Sequence, residues 1–439
     1  MTKKLYLETF GCQMNVLDSD LIASRMVGDG YVMEEDRDQA DVVLFNTCSV
    51  RDQAENRALS HAGHMVHLKR RRPEVVIGVV GCMAQNKQKE IFDQLPHVQL
   101  VVGPRKMGAI PRLISEIQAT GQRRMAIEDT DEEFIDGSEA IQTRATQFQS
   151  FVKAMEGCDL SCTYCIVPTT RGKEVSRPPE VIVDEVRRLA DQGTVEITLL
   201  GQTVNSYGKG CKPYVDLGGL LRRVHEVDGI RRIRFITSHP SFVRPSLVEA
   251  MRDLPKVCKY LHIPAQSGSN RILKAMRRGY TCEKYRGIVD TLRENVPGIE
   301  IASDWIVGFP GETEEDFSAT IDLMREVRFQ NSYVFRYSPR PGTDAIPMGD
   351  DVSEEEKKAR NQILLNLQKE IGLEKNRDRI GTVEEILVEG PSKRNPLRQT
   401  GRTDTHQVVH FEAERDLRGT FIPVKIVEAT ALSFRGEVV

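Results

Sequence analysis

The sequence predicts an α/β protein in three blocks: a small parallel α/β sheet domain, a central incomplete (βα)6 barrel, and a small antiparallel β-barrel at the carboxyl end. Three observations carry this. Short β-rich runs alternate with helical patterns through the first third, the rhythm of a parallel sheet. After residue 146 strand and helix alternate again, with strands about 25 to 40 residues apart; six strands can be counted, short of the eight that close a standard barrel. Beyond residue 377 the texture changes to short β-branched runs separated by turn residues. A chain of 439 residues is too long for one core, so several domains are expected.

In the first block, predicted strands at 4–10, 42–46, 75–80 and 98–102 alternate with helix-compatible segments such as 17–26 and 51–68. Cys12 in FGCQMN, Cys48 in FNTCSV and Cys82 in VVGCMAQ each sit just past a strand end. In an open parallel sheet those ends share one edge, where ligands bind, so three distant residues become neighbours. Any one of these cysteines could be a small buried hydrophobe, and a disulfide or redox role is the remaining reading. The repeated strand-then-Cys pattern favours a three-thiolate metal site. The basic run HLKRRRPE reads as a solvated helix end that complements the helix dipole. The acidic stretch EDTDEEFIDGS reads as a linker. These signals place an amino-terminal domain at 1–125, the linker at 126–145, the barrel domain at 146–376 and the terminal domain at 377–439.

The central block opens on MEGCDLSCTYCIVPTTR, which sets Cys158, Cys162 and Cys165 at C-x3-C-x2-C spacing. Three soft thiolates from one loop select iron–sulfur clusters, zinc or copper(I). A closed structural zinc site wants four protein ligands and a cubane cluster has four irons, so three cysteines leave one corner open. One strand leads into this loop, and further strands are expected at 195–201, 233–238, 260–264, 299–309 and 332–337. Helical patterns fall at 179–191, 246–254, 270–278, 282–294 and 313–326. An unclosed barrel leaves a lateral opening suited to a macromolecular substrate. Gln202, Asn205, Ser238, His239, Gln266, Ser267 and the turn at 308–312 lie past strand ends. Singly each is a loop-capping residue; together they mark the carboxyl-terminal mouth as the active face. Cys211, Cys258 and Cys282 follow no pattern and read as ordinary buried residues.

Net charge is -3 with 28% charged residues, so no global polycation announces nucleic acid and RNA contact must come from local patches. Residues 377–439 hold ten basic and ten acidic side chains; Lys393, Arg398 and Arg402 are the candidate phosphate contacts. Nine cysteines without small-domain spacing fit a reducing compartment. No run approaches the ~18 apolar residues of a membrane span, and no cleavage signal opens the chain. A soluble cytoplasmic monomer without a membrane partner is expected.

GCDLSCTYCIVPTTRGKEVSRP resembles the radical S-adenosylmethionine (SAM) signature. Together with GCQMNVLDSD, FNTCSVR, GCMAQ, AQSGSNRILKAMRRGYT, DWIVGFPGETEEDF and YSPRPGT, the chain resembles the methylthiotransferase family over nearly its whole length. The resemblance implies two 4Fe-4S clusters. One, on Cys158, Cys162 and Cys165, would bind SAM through its free iron and cleave it to a radical. The other, on Cys12, Cys48 and Cys82, would present sulfur. Gln202 and Asn205 stand where other members of the superfamily hold the methionine amine, and backbone near Val307 and Gly308 would lie beside adenine. The terminal barrel resembles a TRAM domain, an RNA-binding module.

The CQMN form of the first motif and GRTDTHQVVHF resemble the MiaB-type branch. That branch implies insertion of a methylthio group at C2 of N6-(dimethylallyl)adenosine beside the anticodon. The implied partners are tRNA through its anticodon loop, a reducing electron donor and a sulfur source. Threonylcarbamoyl adenosine in tRNA and a ribosomal-protein aspartate are the alternative substrates. A non-catalytic iron–sulfur RNA-binding protein and a zinc module with two metal sites are the readings from other classes.

Overall fold

Valine- and isoleucine-rich strands with helices on both sides build the first domain. In a computed structural model the structure describes residues 2–49, 52–127, 146–392, 395 and 398–439. Strands β1 (Lys3–Thr9), β2 (Tyr31–Met33), β3 (Val42–Thr47), β4 (Val76–Gly81), β5 (Leu100–Val102) and β6 (Arg124–Ala126) form one sheet in the order β2-β1-β3-β4-β5-β6. All pairs are parallel. Every residue of β3 and β4 is buried, as central strands covered on both faces must be. Helices α1 (Gln13–Gly28) and α5 (Ile110–Thr120) cover one face, with Leu17, Leu21 and Ile114 against Leu44 and Val80. Helices α2 (Asp52–Arg71), α3 (Cys82–Lys87) and α4 (Lys89–Gln94) cover the other, with Ala62, Met65 and Ile91 against Phe45 and Val79. Beyond the four expected strands, β2 and β6 add three-residue edges, too short to carry a periodic signal.

The basic run is structural. Lys69 Nζ donates to the carbonyls of Pro73 and Val75, and Arg72 bonds Asp41, which tie the end of α2 to the sheet. Most of the acidic linker, 128–145, lies outside the described residues, as does Lys393.

The central domain contains β7 (Gln149–Lys153), the antiparallel ribbon β8 (Met155–Glu156) with β9 (Val175–Ser176), and α6 (Val167–Arg171) between the ribbon strands. There follow α7 (Pro179–Asp191), β10 (Glu196–Leu200), α8 (Leu217–His225), β11 (Arg232–Phe235), α9 (Pro245–Asp253), β12 (Tyr260–His262), α10 (Asn270–Ala275) and α11 (Cys282–Asn295). The domain ends with β13 (Glu300–Val307), α12 (Glu314–Val327), β14 (Asn331–Arg336) and the long α13 (Glu354–Arg377). The six strands make two parallel sheets, β11-β10-β7 and β12-β13-β14. Backbone contacts from β11 to Val257 and from Ser238 N–H to His262 carbonyl (3.1 Å) join them. The result is the expected half-open barrel, with β7 and β14 at its side gap.

Strand alternation sorts its side chains. Ile197, Leu199, Ile233, Phe235, Leu261, Ile301 and Trp305 enter the core under the helices, each worth roughly 1.5–3 kcal/mol of burial. Glu196, Thr198, Arg232, Arg234, Tyr260, His262 and Asp304 alternate with them and therefore face the lumen.

The terminal domain is a closed barrel of β15 (Val383–Pro391), β16 (Arg398–Arg402), β17 (Val408–Glu412), β18 (Phe421–Ala429) and β19 (Ser433–Val438), ordered β15-β16-β17-β19-β18. The sequence led us to expect antiparallel pairing throughout, but β17 and β19 pair in parallel. A ring with an odd number of strands cannot alternate direction all the way round, so one parallel neighbour pair is unavoidable.

This barrel is seated across the amino-terminal end of the lumen. Arg232 donates to Arg402 carbonyl (2.9 Å), and Arg234 to the carbonyls of Thr403 (2.7 Å) and Asp404 (2.9 Å). Glu196 accepts from Arg234 at 3.0 Å, His406 stacks 5.0 Å from Tyr260, and Arg231 and Arg232 lie over Phe421. Replacing Arg234 with alanine strips Glu196 of a buried counter-charge and leaves two carbonyls without their donor. We expect a loss of about 3–5 kcal/mol, read as a lower thermal midpoint and faster proteolytic cleavage near residues 378–382. Unchanged proteolysis would show that the two domains are held by other contacts.

Candidate metal centres

Two glycines let the first three cysteines meet. Gly11 has φ +124, and a Cβ there would lie 2.5 Å from that of Cys48. Gly81, at φ +93, would meet Asn46 Oδ1 at 2.5 Å and Thr47 carbonyl at 2.7 Å. The strand ends can close on one another only where those side chains are missing. Asn15, fully buried, ties them together. It accepts from Cys12 Sγ (3.2 Å) and donates to Thr47 carbonyl (2.9 Å), while Asn46 Nδ2 donates back to Asn15 carbonyl (2.8 Å) and to Ser19 Oγ (2.9 Å). The function of Asn15 is thus to brace the loops. Burial pushes the Cys82 thiol up to about 12, an effect that Arg171 opposes and that Cys48 and Cys12 reinforce. Cys12 and Cys48 therefore both lie within electrostatic reach of Cys82.

The second triad is held by the β8–β9 ribbon. Gly157, at φ +80, passes so close to Lys173 carbonyl that a Cβ would approach to 2.1 Å. Cys158 N–H donates to Gly172 carbonyl (3.1 Å). Thr203 Oγ1 lies 3.3 Å from Cys158 Sγ, and Arg278 donates to Cys162 Sγ (3.4 Å) and to Pro264 carbonyl (3.3 Å). Burial pushes Cys165 up to about 12 and also raises Cys158. Thiols held protonated by burial become thiolates only when a cation compensates, which is what metal ligation supplies. All nine cysteines are free. Among the described residues no three His, Cys, Asp or Glu side chains close in on a single-ion site; a cubane instead takes thiolates at separate corners.

Gln202 and Asn205 stand at the carboxyl-terminal rim, but their amides hold backbone. Gln202 Oε1 accepts from Gly157 N–H (2.6 Å), and Asn205 bonds both the N–H (2.8 Å) and the carbonyl (2.9 Å) of His239. The same rim carries four buried polar atoms without a partner among the described residues: Ser238 Oγ, His239 Nε2, Gln266 Oε1 and Tyr337 Oη. Each such orphan costs about 1–3 kcal/mol, so a cluster of them past β11, β12 and β14 fits a polar ligand such as SAM. Burial, then Arg278 and Lys284, lower His239 to about 3, so its ring is uncharged at neutral pH. Thr237 and Gln266 hold positive φ here, at 67° and 69°, the backbone strain that gathers at ligand sites. Gly308 N–H is held by Glu312 (2.6 Å), itself paired to buried Arg360 (2.7 Å).

The two triads adjoin. Helix α6, which follows Cys165, packs on α3, which begins with Cys82. Between them runs a buried charge network that sequence reasoning missed. Arg171 bonds Asp18 (2.6 Å) and Glu156 (3.0 Å), and Lys153 meets Glu156 (2.9 Å) and Asp18 (3.4 Å), all four side chains at most 3% exposed. Burial opposes ionisation of Glu156, but Lys153 and Arg171 outweigh it and hold its pKa below the usual carboxylate value. Arg105 adds a clamp from the first domain, donating to Lys173 carbonyl at 2.5 Å. Cys258 and Cys282 are simply buried, Cys211 lies 3.7 Å from Arg177 carbonyl, and Arg398 and Arg402 pair with Glu412 and Glu389.

Comparison with known proteins matches the Radical SAM superfamily at residues 152–324, Uncharacterized protein family UPF0004 at 4–103 and the TRAM domain at 377–439. A curated protein of Akkermansia muciniphila named tRNA-2-methylthio-N(6)-dimethylallyladenosine synthase is 46% identical, covering 99% of this chain and 98% of its own. One of the same name from Rhodopirellula baltica is 43% identical, covering 100% and 96%. Among solved structures, the radical S-adenosylmethionine methyltransferase TsrM from Kitasatospora setae, with cobalamin and a [4Fe-4S] cluster bound, superposes with a TM-score of 0.60. It shares 15% identity and covers 79% of this chain and 74% of its own, a likeness of fold.

Proposed function

Because the chain belongs to the family of tRNA-2-methylthio-N(6)-dimethylallyladenosine synthases, we propose how its residues divide that reaction. The protein is a radical SAM enzyme that transfers a methylthio group to the prenylated adenosine of tRNA, using SAM and [4Fe-4S] clusters. Cys158, Cys162 and Cys165 would hold the cluster that takes SAM, and Cys12, Cys48 and Cys82 the one that presents sulfur. Bound there, these groups supply the 5′-deoxyadenosyl radical, the methyl group and the sulfur.

The chain's own work is to hold and to exclude. Thr203 and Arg278 orient thiolates of the Cys158–Cys162–Cys165 triad, and Gln202 with Gly157 fixes its loop. Ser238, His239, Gln266 and Tyr337 offer SAM the hydrogen bonds they lack among themselves. Arg171 and Asp18 keep the two triads in register. Residues 1–125, 146–376 and 377–439 act as sulfur-presenting, radical-generating and RNA-binding domains, with 126–145 as linker. The anticodon loop enters at the side gap, since unstacked loop bases can leave their stack for a pocket. The chemistry calls for a reducing electron donor and a sulfur source, and we place it in the cytoplasm, with its tRNA. No described helix is long and apolar enough to cross a membrane.

The observation that carries this reading is the pair of three-cysteine sites joined across α3 and α6. It is tested by anaerobic reconstitution with iron and sulfide, followed by mass spectrometry of digested prenylated tRNA. We expect methylthiolated, prenylated adenosine together with 5′-deoxyadenosine; reconstituted protein that yields neither refutes the assignment.

A further inference from the structure

Most of the polar lumen is already committed. The Glu196–Arg232–Arg234 group is only 5–6% exposed, and its arginines are occupied by carbonyls of the terminal domain. Higher in the same lumen His262 Nε2 lies 2.9 Å from Asp304 Oδ1, yet this pair remains 14% and 25% exposed. Barrel interiors are normally filled by side chains, so a polar pair that keeps its exposure there borders open space. Tyr333, on the edge strand β14 beside the gap, is 43% exposed and meets the His262 ring edge to face, with centroids 6.0 Å apart. His262 lies two residues before Pro264, whose carbonyl holds the Arg278 that bonds Cys162. At ~3.3 Å per strand residue, the pair sits roughly one purine ring below the rim.

We propose that this face is the subsite for the N6-alkylated purine of the tRNA substrate, with His262 and Asp304 reading its amino edge and Tyr333 stacking on its ring. The proposal rests on the function given above and extends it to recognition of the base. An N6-alkyl adenine keeps a single N6–H beside a ring nitrogen acceptor. Asp304 offers a carboxylate acceptor for that hydrogen, and His262 a second hydrogen-bonding atom next to it. With its N6–N7 edge turned down the lumen, C2, across the six-membered ring from that edge, faces the cysteine rim. Phe335, half-buried on the edge strand β14, gives the gap an apolar side chain suited to the dimethylallyl chain, while Phe151 on β7 packs against the core of the first domain. Base–aromatic stacking contributes about 1–3 kcal/mol per base, enough for Tyr333 to hold a base drawn from its loop.

The test uses full-length apo protein and three RNA probes: an anticodon stem-loop carrying N6-(dimethylallyl)adenosine, the same stem-loop with plain adenosine, and one abasic at that position. Fluorescence anisotropy gives Kd for wild type, Asp304→Asn, His262→Gln and Tyr333→Ala. Each variant is expected to bind the prenylated stem-loop about tenfold more weakly, the loss of one good hydrogen bond or stack, and the abasic one as wild type does. Reconstituted variants should form more 5′-deoxyadenosine per thiolated base, because a loosely held base misses the radical. Wild-type affinity for the prenylated probe in all three variants, or equal weakening on the abasic probe, overturns the subsite. Tyr333→Ala, on an exposed edge, decides the matter if an interior variant fails to fold. Failure of wild type to thiolate prenylated tRNA would instead reject the functional reading beneath it.

Discussion

Replacing Cys158 with alanine is expected to abolish 5′-deoxyadenosine formation, whereas replacing Cys12 should spare it and eliminate the thiolated product. The difference follows from where each thiol stands. Cys158 is buried in the β8–β9 loop with Thr203 against its sulfur, and its loss leaves two ligands for the cluster proposed to take SAM. Cys12 is half-exposed, and its Sγ donates to Asn15 in its own domain. Its removal leaves the Arg171–Asp18 and Arg171–Glu156 contacts intact, so the second triad keeps its frame. Even the partners of ligands cost 10- to 100-fold when lost, so removal of a ligand itself should reduce methylthiolation by more than ~100-fold. Chromatography of 5′-deoxyadenosine and mass spectrometry of tRNA nucleosides read the two activities separately. A folded Cys12→Ala protein without either activity would mean that the two centres cannot be uncoupled.

Replacing Arg171 with methionine should be the most damaging single change away from the cysteines. It keeps the volume and removes the charge that Asp18 and Glu156 share in a region at most 3% exposed. Breaking a buried pair by deleting one partner costs about 3–5 kcal/mol, because the remaining charge is left without compensation. Calorimetry of the apo protein should show the transition that includes the domain contact fall by roughly 6–20 °C. Asp18→Asn in the same chain should restore part of the loss, with a coupling above ~1 kcal/mol. Strict additivity would show that the network is not a unit.

The sequence made most of the architecture legible because the relevant signals are local. Strand-then-Cys at residues 12, 48 and 82, and three cysteines within one loop, can be read in short windows, and parallel topology turns them into sites. What escaped depends on partners far along the chain. Arg171 and Asp18 are 153 residues apart, and nothing near either announces the other. Arg232 and Arg234 look like ordinary strand residues until the 402–406 turn is laid across them. That turn lies within GRTDTHQVVHF, which the sequence suggested as a marker of substrate choice; the structure puts it at the barrel's amino-terminal end. Gln202 and Asn205 stand past β10, where the sequence placed them, but spacing alone could not show that their amides hold the backbone of Gly157 and His239.

The seating of the terminal barrel closes the amino-terminal end of the lumen. On the function proposed above, a base drawn in between β7 and β14 meets that closed end and backs out along its path of entry.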